Sequence, residues 1–494
     1  MRQVTRRAAL LAAGGVAGWA ATRATAPGLP TLAGTHSLSA PSSATILNDA
    51  SGLSATPVHK HLVIRGDPDD TLIAAIRAEM KDAGTAGRAV NISAARHSMG
   101  GQSIPRDGHA LTFDSGFVER DSDAGTYRVH AGARWSQVIA ALDPAGWSPK
   151  VMQSNHDFGV ASTFCVNAHG WPVPFGPMGA TVRAFRLILP DGDLLNCSRS
   201  ENTRIFNATM GGYGLTGAIV DMQVEMVKNQ RLDPTYTHMD AEAFAPAFQD
   251  ALDDPAVTMA YGRLNVGRAQ FFEQAQLTSY RAAQDQNDLP PASGSGMAAK
   301  AARALYRAQL GREPIKRLRW WTETTAGPLF NGAATRNSLI NEPVVTLADR
   351  DPARTDILHE YFIGFDRFTD FLSLCRTVIP ASYQEFLNVT LRYVAQDDES
   401  LLSYATAPRI AAVMSFSQEM TARAEADMQR MTRALVEGIT AIGGTYYLPY
   451  RPHASVAQFT KAYARASEFA ALKRQLDPGV LFRNNLWDRY LESL

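Results

Sequence analysis

The chain has 494 residues, 45% hydrophobic and 19% charged, an ordinary globular composition with apolar material for a large core and for two or three domains. Its 48 Lys and Arg balance 48 Asp and Glu and no long basic run appears, which excludes the electrostatic footprint of a nucleic-acid binder and favours a small-molecule partner. Three widely spaced cysteines, Cys165, Cys197 and Cys375, make no disulfide framework, and without a CxxC or His-rich cluster no metal site is expected. Free buried thiols are the expectation, with a single bridge as the alternative.

The N-terminus, "MRQVTRRAALLAAGGVAGWAATRATAPG", has a basic start, the pair Arg6 and Arg7 after Thr5, an apolar run and then Ala-Thr-Ala. That order predicts a twin-arginine export signal over residues 1–26 and a periplasmic or otherwise exported protein. The run from Ala8 to Ala21 is fourteen residues long, short of the ~20 needed to span a bilayer. Membrane contact is therefore expected only through this segment, if it stays uncleaved. Residues 27–56, rich in Ser, Thr, Ala, Gly and Pro, read as a linker.

In chain order, "HLVIRG" reads as a strand, "DPDDTLIAAIRAEMKDAG" as a helix with an acidic first turn, and "RAVNISAA", "ALTFDS" and "GTYRVHAGA" as further strands. "RWSQVIAALDPAG" reads as a helix, and Pro190, Asp191 and Gly192 turn "VRAFRLILPDGDLLNCS" into a hairpin. These elements, closing with "GAIVDMQVEMVKN", describe an α+β domain over residues 57–231. Residues 232–445 read as a second α+β domain containing a polar loop at 283–300, and residues 446–494 as a C-terminal segment whose helix stops at Asp477-Pro478.

Three glycine-bearing stretches could carry chemistry. "NISAARHSMGGQS" follows a strand with Arg96, His97, Ser98 and two glycines, a concavity suited to an anion such as a pyrophosphate. "VASTFCVNAHG" alternates small and polar residues, permitting close approach to a flat ligand, and "NATMGGYGLTGAI" places Gly211, Gly212, Gly214 and Gly217 before an apolar strand. Each alone reads more readily as a tight turn; the three in this order point to a bound cofactor. In "FLNVTLRYV", period two puts Asn388, Thr390 and Arg392 on one side and Leu387, Val389, Leu391 and Tyr393 on the other, the usual mark of a solvated outer face.

With "VHAGARWSQVIAAL" and "LPDGDLLNCS", these stretches make residues 58–228 resemble the FAD-binding domain of the vanillyl-alcohol oxidase and p-cresol methylhydroxylase superfamily, the PCMH-type flavoproteins. "HEYFIG", "FLNVTLRYV", "GGTYYLPY" and "DPGVLFRNNLWDRYL" are similar in texture to the branch of aldonolactone, alditol and decaprenylphosphoryl-ribose oxidases. The resemblance implies a two-part FAD-binding domain, a substrate cap whose sheet lies over the flavin, and a C-terminal tail returning to the FAD site. It implies FAD contacts from Ala95, Arg96, His97, Ser98, Met99, Gly100, Gly101 and Gln102. "VASTFCVNAHG", matched to a Val-Gly-Gly-type flavin strand, would add Val160, Ala161, Ser162, Cys165, Asn167, His169 and Gly170, and further contacts would come from Gly214, Gly217, Ile219 and Asn485. A histidine at the position of His97 often carries FAD covalently in this superfamily, chemistry that suits a neutral nucleophilic imidazole; Ala95-Arg96 replaces the more usual glycine-containing lead-in.

Under the resemblance the polar row of "FLNVTLRYV" lines a substrate pocket instead. Asn388 and Arg392 would orient substrate, Glu360 is the candidate base, and Tyr450 stands near where decaprenylphosphoryl-ribose oxidases carry a lysine. The implied activity is oxidation of a CH–OH group of a sugar, polyol, aldonolactone or related alcohol by hydride transfer to flavin N5, with oxygen, a quinone or a cytochrome as electron acceptor. The alternatives are an amine dehydrogenase of the cytokinin kind and an inactive exported flavin-binding or sensor protein.

Overall fold

The computed structural model describes residues 45–292, 297–330, 332–342 and 351–494. The expected signal and the first part of the linker lie outside the described residues. From Thr45 onward the expected linker is folded: Ile46–Leu47 pairs with Thr56–Pro57, and Leu47, Asp49 and Ser51 are buried. The Asp49 carboxylate holds it there by accepting from the backbone N–H groups of Ser51 at 3.0 Å and Gly101 at 2.8 Å.

Three sheets organise the rest. The first is parallel, with His109–Asp114 between Lys60–Arg65 and Val90–Ser93. Helix Asp70–Thr85 makes the crossover; Asp69 caps it by accepting from the Leu72 N–H, and its helical stripe of Leu72, Ile73, Ile76, Met80 and Ala83 is buried. The chain returns to this sheet at its far end, where the Val90 N–H donates to the Leu481 carbonyl at 2.6 Å and Phe482 is fully buried.

The second sheet is antiparallel in the order Leu194–Ser198, Val182–Ile188, Ala218–Lys228, Thr126–His130 and Val118–Asp121, with Trp147–Pro149 beside Ala218–Lys228. The expected hairpin turn forms at Pro190–Gly192, with Gly192 at φ 94°. One core containing Phe113, Tyr127, Trp135, Phe164, Phe185 and Phe206 unites the first two sheets.

The third sheet has eight antiparallel strands, in the order Ala334–Thr335, Arg231–Asp240, Gln274–Ala282, Val257–Leu264, Glu385–Val394, Arg409–Glu419, Arg354–Ile363 and Thr445–Tyr446. Helices Phe244–Asp253, Phe368–Val378 and Ala422–Ala441 cover one face, over a core that includes Val389, Leu391, Met414, Phe371 and Leu435. Register places Glu360 opposite Val413 and Val413 opposite Thr390 on the other face. That face meets the first half of the chain, so the polar row of Glu385–Val394 is half-buried or buried and is not the solvated outer face that period two alone predicts.

Two further expectations are corrected. "VASTFC" is a short helix, Val160–Cys165, and not a flavin strand, because each turn closes locally, the Thr163 N–H on the Gly159 carbonyl and the Val166 N–H on that of Ser162. Of the expected loop at 283–300, residues 293–296 lie outside the described residues and helix Met297–Ala308 has begun by Met297. The cysteines Cys165, Cys197 and Cys375 are free. No helix among the described residues is long and apolar enough to cross a membrane.

Two core histidines make stability depend on pH. Burial lowers His130 to about 4 and His359 to about 3. An unfolded histidine titrates near 6.5, so on acidification the unfolded chain takes up protons that the folded chain refuses. Folding stability is therefore complete above pH ~6.5 and falls as the pH drops toward 4, by up to roughly 3 kcal/mol for His130 alone. Urea unfolding midpoints measured from pH 7 to 4 should show this slope, and His130→Gln should flatten it.

Candidate functional site

A cleft with a cavity volume of about 240 Å³ lies between the first two sheets and the open face of the third. One wall is the loop after strand Val90–Ser93. Arg96 takes a left-handed φ of 51°, its carbonyl held by the Ala50 N–H at 3.0 Å, and the next residue, His97, lines the cleft with its ring 4.3 Å from that of Phe158. Burial, helped by the Arg134 charge and opposed by Asp157, lowers His97 to about 4, so its imidazole is neutral at ordinary pH. Ala95, Ser98 and Gln102 line the cleft beside it.

Met99, Gly100 and Gly101 do not line the cleft; they fasten the loop. The Met99 N–H donates to the Pro449 carbonyl at 2.8 Å, and the Gln102 amide donates to the carbonyls of Leu448 at 2.7 Å and Tyr450 at 2.9 Å. Asn485 donates to the Gly100 carbonyl. A Cβ on Gly100 would lie 2.6 Å from the Tyr450 carbonyl oxygen and 2.7 Å from Pro452, so only glycine allows this approach. Asn485 thus acts on the loop from behind, beside a separate small pocket.

Helix Val160–Cys165 and the turn at 211–217 form the second wall. Ala161, Ser162, Cys165, Gly214, Gly217 and Ile219 line the cleft, and a side chain on Gly214 would meet open space, with no protein atom within 4 Å. Val160 is buried behind them. Asn167 braces the wall, accepting from the Gly179 N–H at 2.8 Å and donating to Ser400 at 3.0 Å and Asp397 at 3.1 Å. At Gly170 a Cβ would sit 2.0 Å from the Met152 carbonyl oxygen, which makes its role close backbone packing.

The third wall carries the titratable groups. His169, from the first half of the chain, meets Glu360 of strand Arg354–Ile363 through Nε2 and Oε1, both residues 4% exposed. Tyr450 donates from its hydroxyl to Glu360 Oε2 at 3.1 Å; burial and the Glu360 charge raise Tyr450 well above the ordinary tyrosine range and keep it a donor. Arg392 donates to Ser154 Oγ at 3.0 Å, its Nε–H has no protein partner, and burial lowers it from the ordinary arginine value. The structure therefore brings Glu360, Arg392 and Tyr450 together with His169. Asn388 is on the same strand face as Arg392 but outside the cleft wall, its Oδ1 accepting from Arg319 at 2.7 Å.

Sequence reasoning missed several residues in and beside the cleft. Arg134 stands before helix Trp135–Leu142 with a buried Nη1 that has no partner, close enough to His97 to act on its charge. Gln153 has an unpartnered buried Oε1. Phe158, Tyr213 and Tyr447 also line the cleft. Arg134, Tyr213 and Tyr447 lie within stretches the sequence singles out, but only the tertiary fold brings these side chains to the loop.

These groups fit FAD. Burial lowers both Arg96 and Arg134 from the ordinary arginine value, with Asp114 and Asp157 opposing the shift of Arg134, and Arg96 on the cleft wall offers an anionic diphosphate a charge partner. The open space before Gly214 and the unpartnered donors and acceptors suit the rest of a flat polar cofactor. The family described as FAD binding domain matches residues 71–198. An alditol oxidase of a Streptomyces species is 29% identical over 122 residues, 24% of this chain and 29% of that protein. Cytokinin dehydrogenase 7 of Oryza sativa subsp. japonica is 30% identical over 139 residues, 26% of each chain, and a putative D-arabinono-1,4-lactone oxidase of Neurospora crassa is 25% identical over 110 residues, 22% of this chain and 20% of that protein. The alignments thus span less than a third of each relative. Residues 71–198 thus match an FAD binding domain, and the chain is similar over about a quarter of its length to an alditol oxidase, a putative aldonolactone oxidase and a cytokinin dehydrogenase alike.

Gly100→Ala should push the loop off Tyr450 and Pro452, costing about 1–3 kcal/mol as overpacking does. Chemical denaturation would show the loss, and the ratio of flavin to protein absorbance should fall with it.

Proposed function

We propose that the protein is an FAD-dependent oxidoreductase that oxidises a CH–OH group of a sugar, polyol, aldonolactone or related alcohol. The observation that carries this reading is the Glu360 carboxylate, buried in the cleft wall and contacted by His169 and Tyr450. FAD, when bound in this cleft, would supply the redox chemistry as the hydride acceptor. Glu360 accepts the hydroxyl proton, and its buried surroundings exclude water from the carboxylate. The free Nε–H of Arg392 and the Tyr450 hydroxyl orient substrate oxygens. Oxygen, a quinone or a cytochrome takes the electrons onward. His97 would hold FAD, its neutral imidazole being competent as the nucleophile of a covalent link. The N-terminal sequence supports twin-arginine export, with the substrate met outside the cytoplasm.

An anaerobic screen of sugars, polyols, lactones and amines should bleach the flavin absorbance with an alcohol; bleaching by amines alone would select the dehydrogenase of the cytokinin kind, and no bleaching by any of them the inactive binder. With the active alcohol, Glu360→Gln should lower kcat/KM by about 10²–10⁴-fold at unchanged flavin content. Acid precipitation should leave the yellow colour with the wild-type polypeptide and release it from His97→Ala; colour in the wild-type supernatant would refute the covalent link.

A further inference from the structure

Residues 313–330 form one helical rod, α over Glu313–Trp321, π over Thr322–Ala326 and α again over Gly327–Phe330. Its polarity is inverted. The inward side chains are charged: Lys316 Nζ lies 2.6 Å from Glu385 Oε1, and Arg319 donates to the Leu387 carbonyl and to Asn388, each at 2.7 Å, both cations being buried. Three large apolar side chains instead face outward: Leu318 is 45%, Trp321 54% and Leu329 77% exposed. Leu318 and Trp321 are three residues apart and share one helix face. A globular helix in water has the opposite arrangement.

Charge identifies what covers this face. Residues 297–330 contain seven Lys or Arg and two Glu, in a chain whose charges balance overall. Arg317 is exposed next to Leu318, and Arg312 at the head of the rod is half-buried. Exposed Trp and Leu set among arginines are the composition of a helix lying in the headgroup region of an anionic bilayer. A protein partner's core would instead favour apolar groups without adjacent unneutralised charge.

We propose that the rod Glu313–Phe330 is a membrane-surface foot, with Trp321, Leu318 and Leu329 inserted at the boundary between headgroups and acyl chains and Arg317 against lipid phosphate. Through Lys316 and Arg319 the foot is tied to strand Glu385–Val394, which also carries Arg392 of the cleft. The proposal does not depend on the reaction assigned above.

The test is flotation of the full-length protein with vesicles of phosphatidylglycerol and phosphatidylethanolamine, and with vesicles of phosphatidylcholine alone. The expected result is binding to the anionic vesicles that falls at least tenfold in Leu318→Ser/Trp321→Ser/Leu329→Ser and several-fold in Arg317→Glu. Brominated lipid should quench a tryptophan component that Trp321→Phe removes. Circular dichroism and flavin content should stay unchanged in these variants, since all four side chains point outward. Binding to neither vesicle, or anionic binding undiminished in the triple variant, overturns the proposal. So does a concentration-dependent dimer that the triple variant abolishes while vesicle binding persists, which would assign the face to a second copy of the chain.

Discussion

The contact on which the site depends is the buried meeting of His169 with Glu360. The two residues come from different halves of the chain and from elements with separate cores. Two ionisable groups are removed from water together, an arrangement that is tolerable only when each satisfies the other. Glu360 is further satisfied by the Tyr450 hydroxyl, and Arg392 is close enough to feel its charge. The eight-stranded sheet thereby meets the first half of the chain at a patch of ionisable groups.

The Gln102 amide makes the companion connection. By donating to both Leu448 and Tyr450 it ties the loop bearing His97 to the segment bearing Tyr450, so the residue proposed to hold the cofactor and a residue proposed to orient substrate cannot shift independently. Arg451 reinforces the tie, donating to the Met99 carbonyl at 3.1 Å while paired with Glu425. Glycine at position 100 follows from the same approach of two backbones.

Much of this was legible in the sequence because it is local. Alternation and capping mark Val90–Ser93, Asp70–Thr85 and Glu385–Val394, and the loop with His97 declares itself by composition. What was not legible is set by distance along the chain. Arg134 lies 37 residues after His97 and enters its surroundings only through the fold. Asn388 has the right period, yet Arg319 occupies its carbonyl from a helix that single-sequence reasoning could not place. The short helix Val160–Cys165 defeated pattern reading because six residues give too little periodicity to separate helix from strand.

The return of the chain to its first sheet has a bearing on how fast it folds. Leu481 and Phe482 complete the edge beside Val90, and the Asn484 side chain donates to the Tyr213 carbonyl at 3.0 Å, behind the cleft wall. The strand at Val90 is thus completed by a segment far along the chain, a high-contact-order pairing that slows folding because loop-closure entropy must be met before the contact forms.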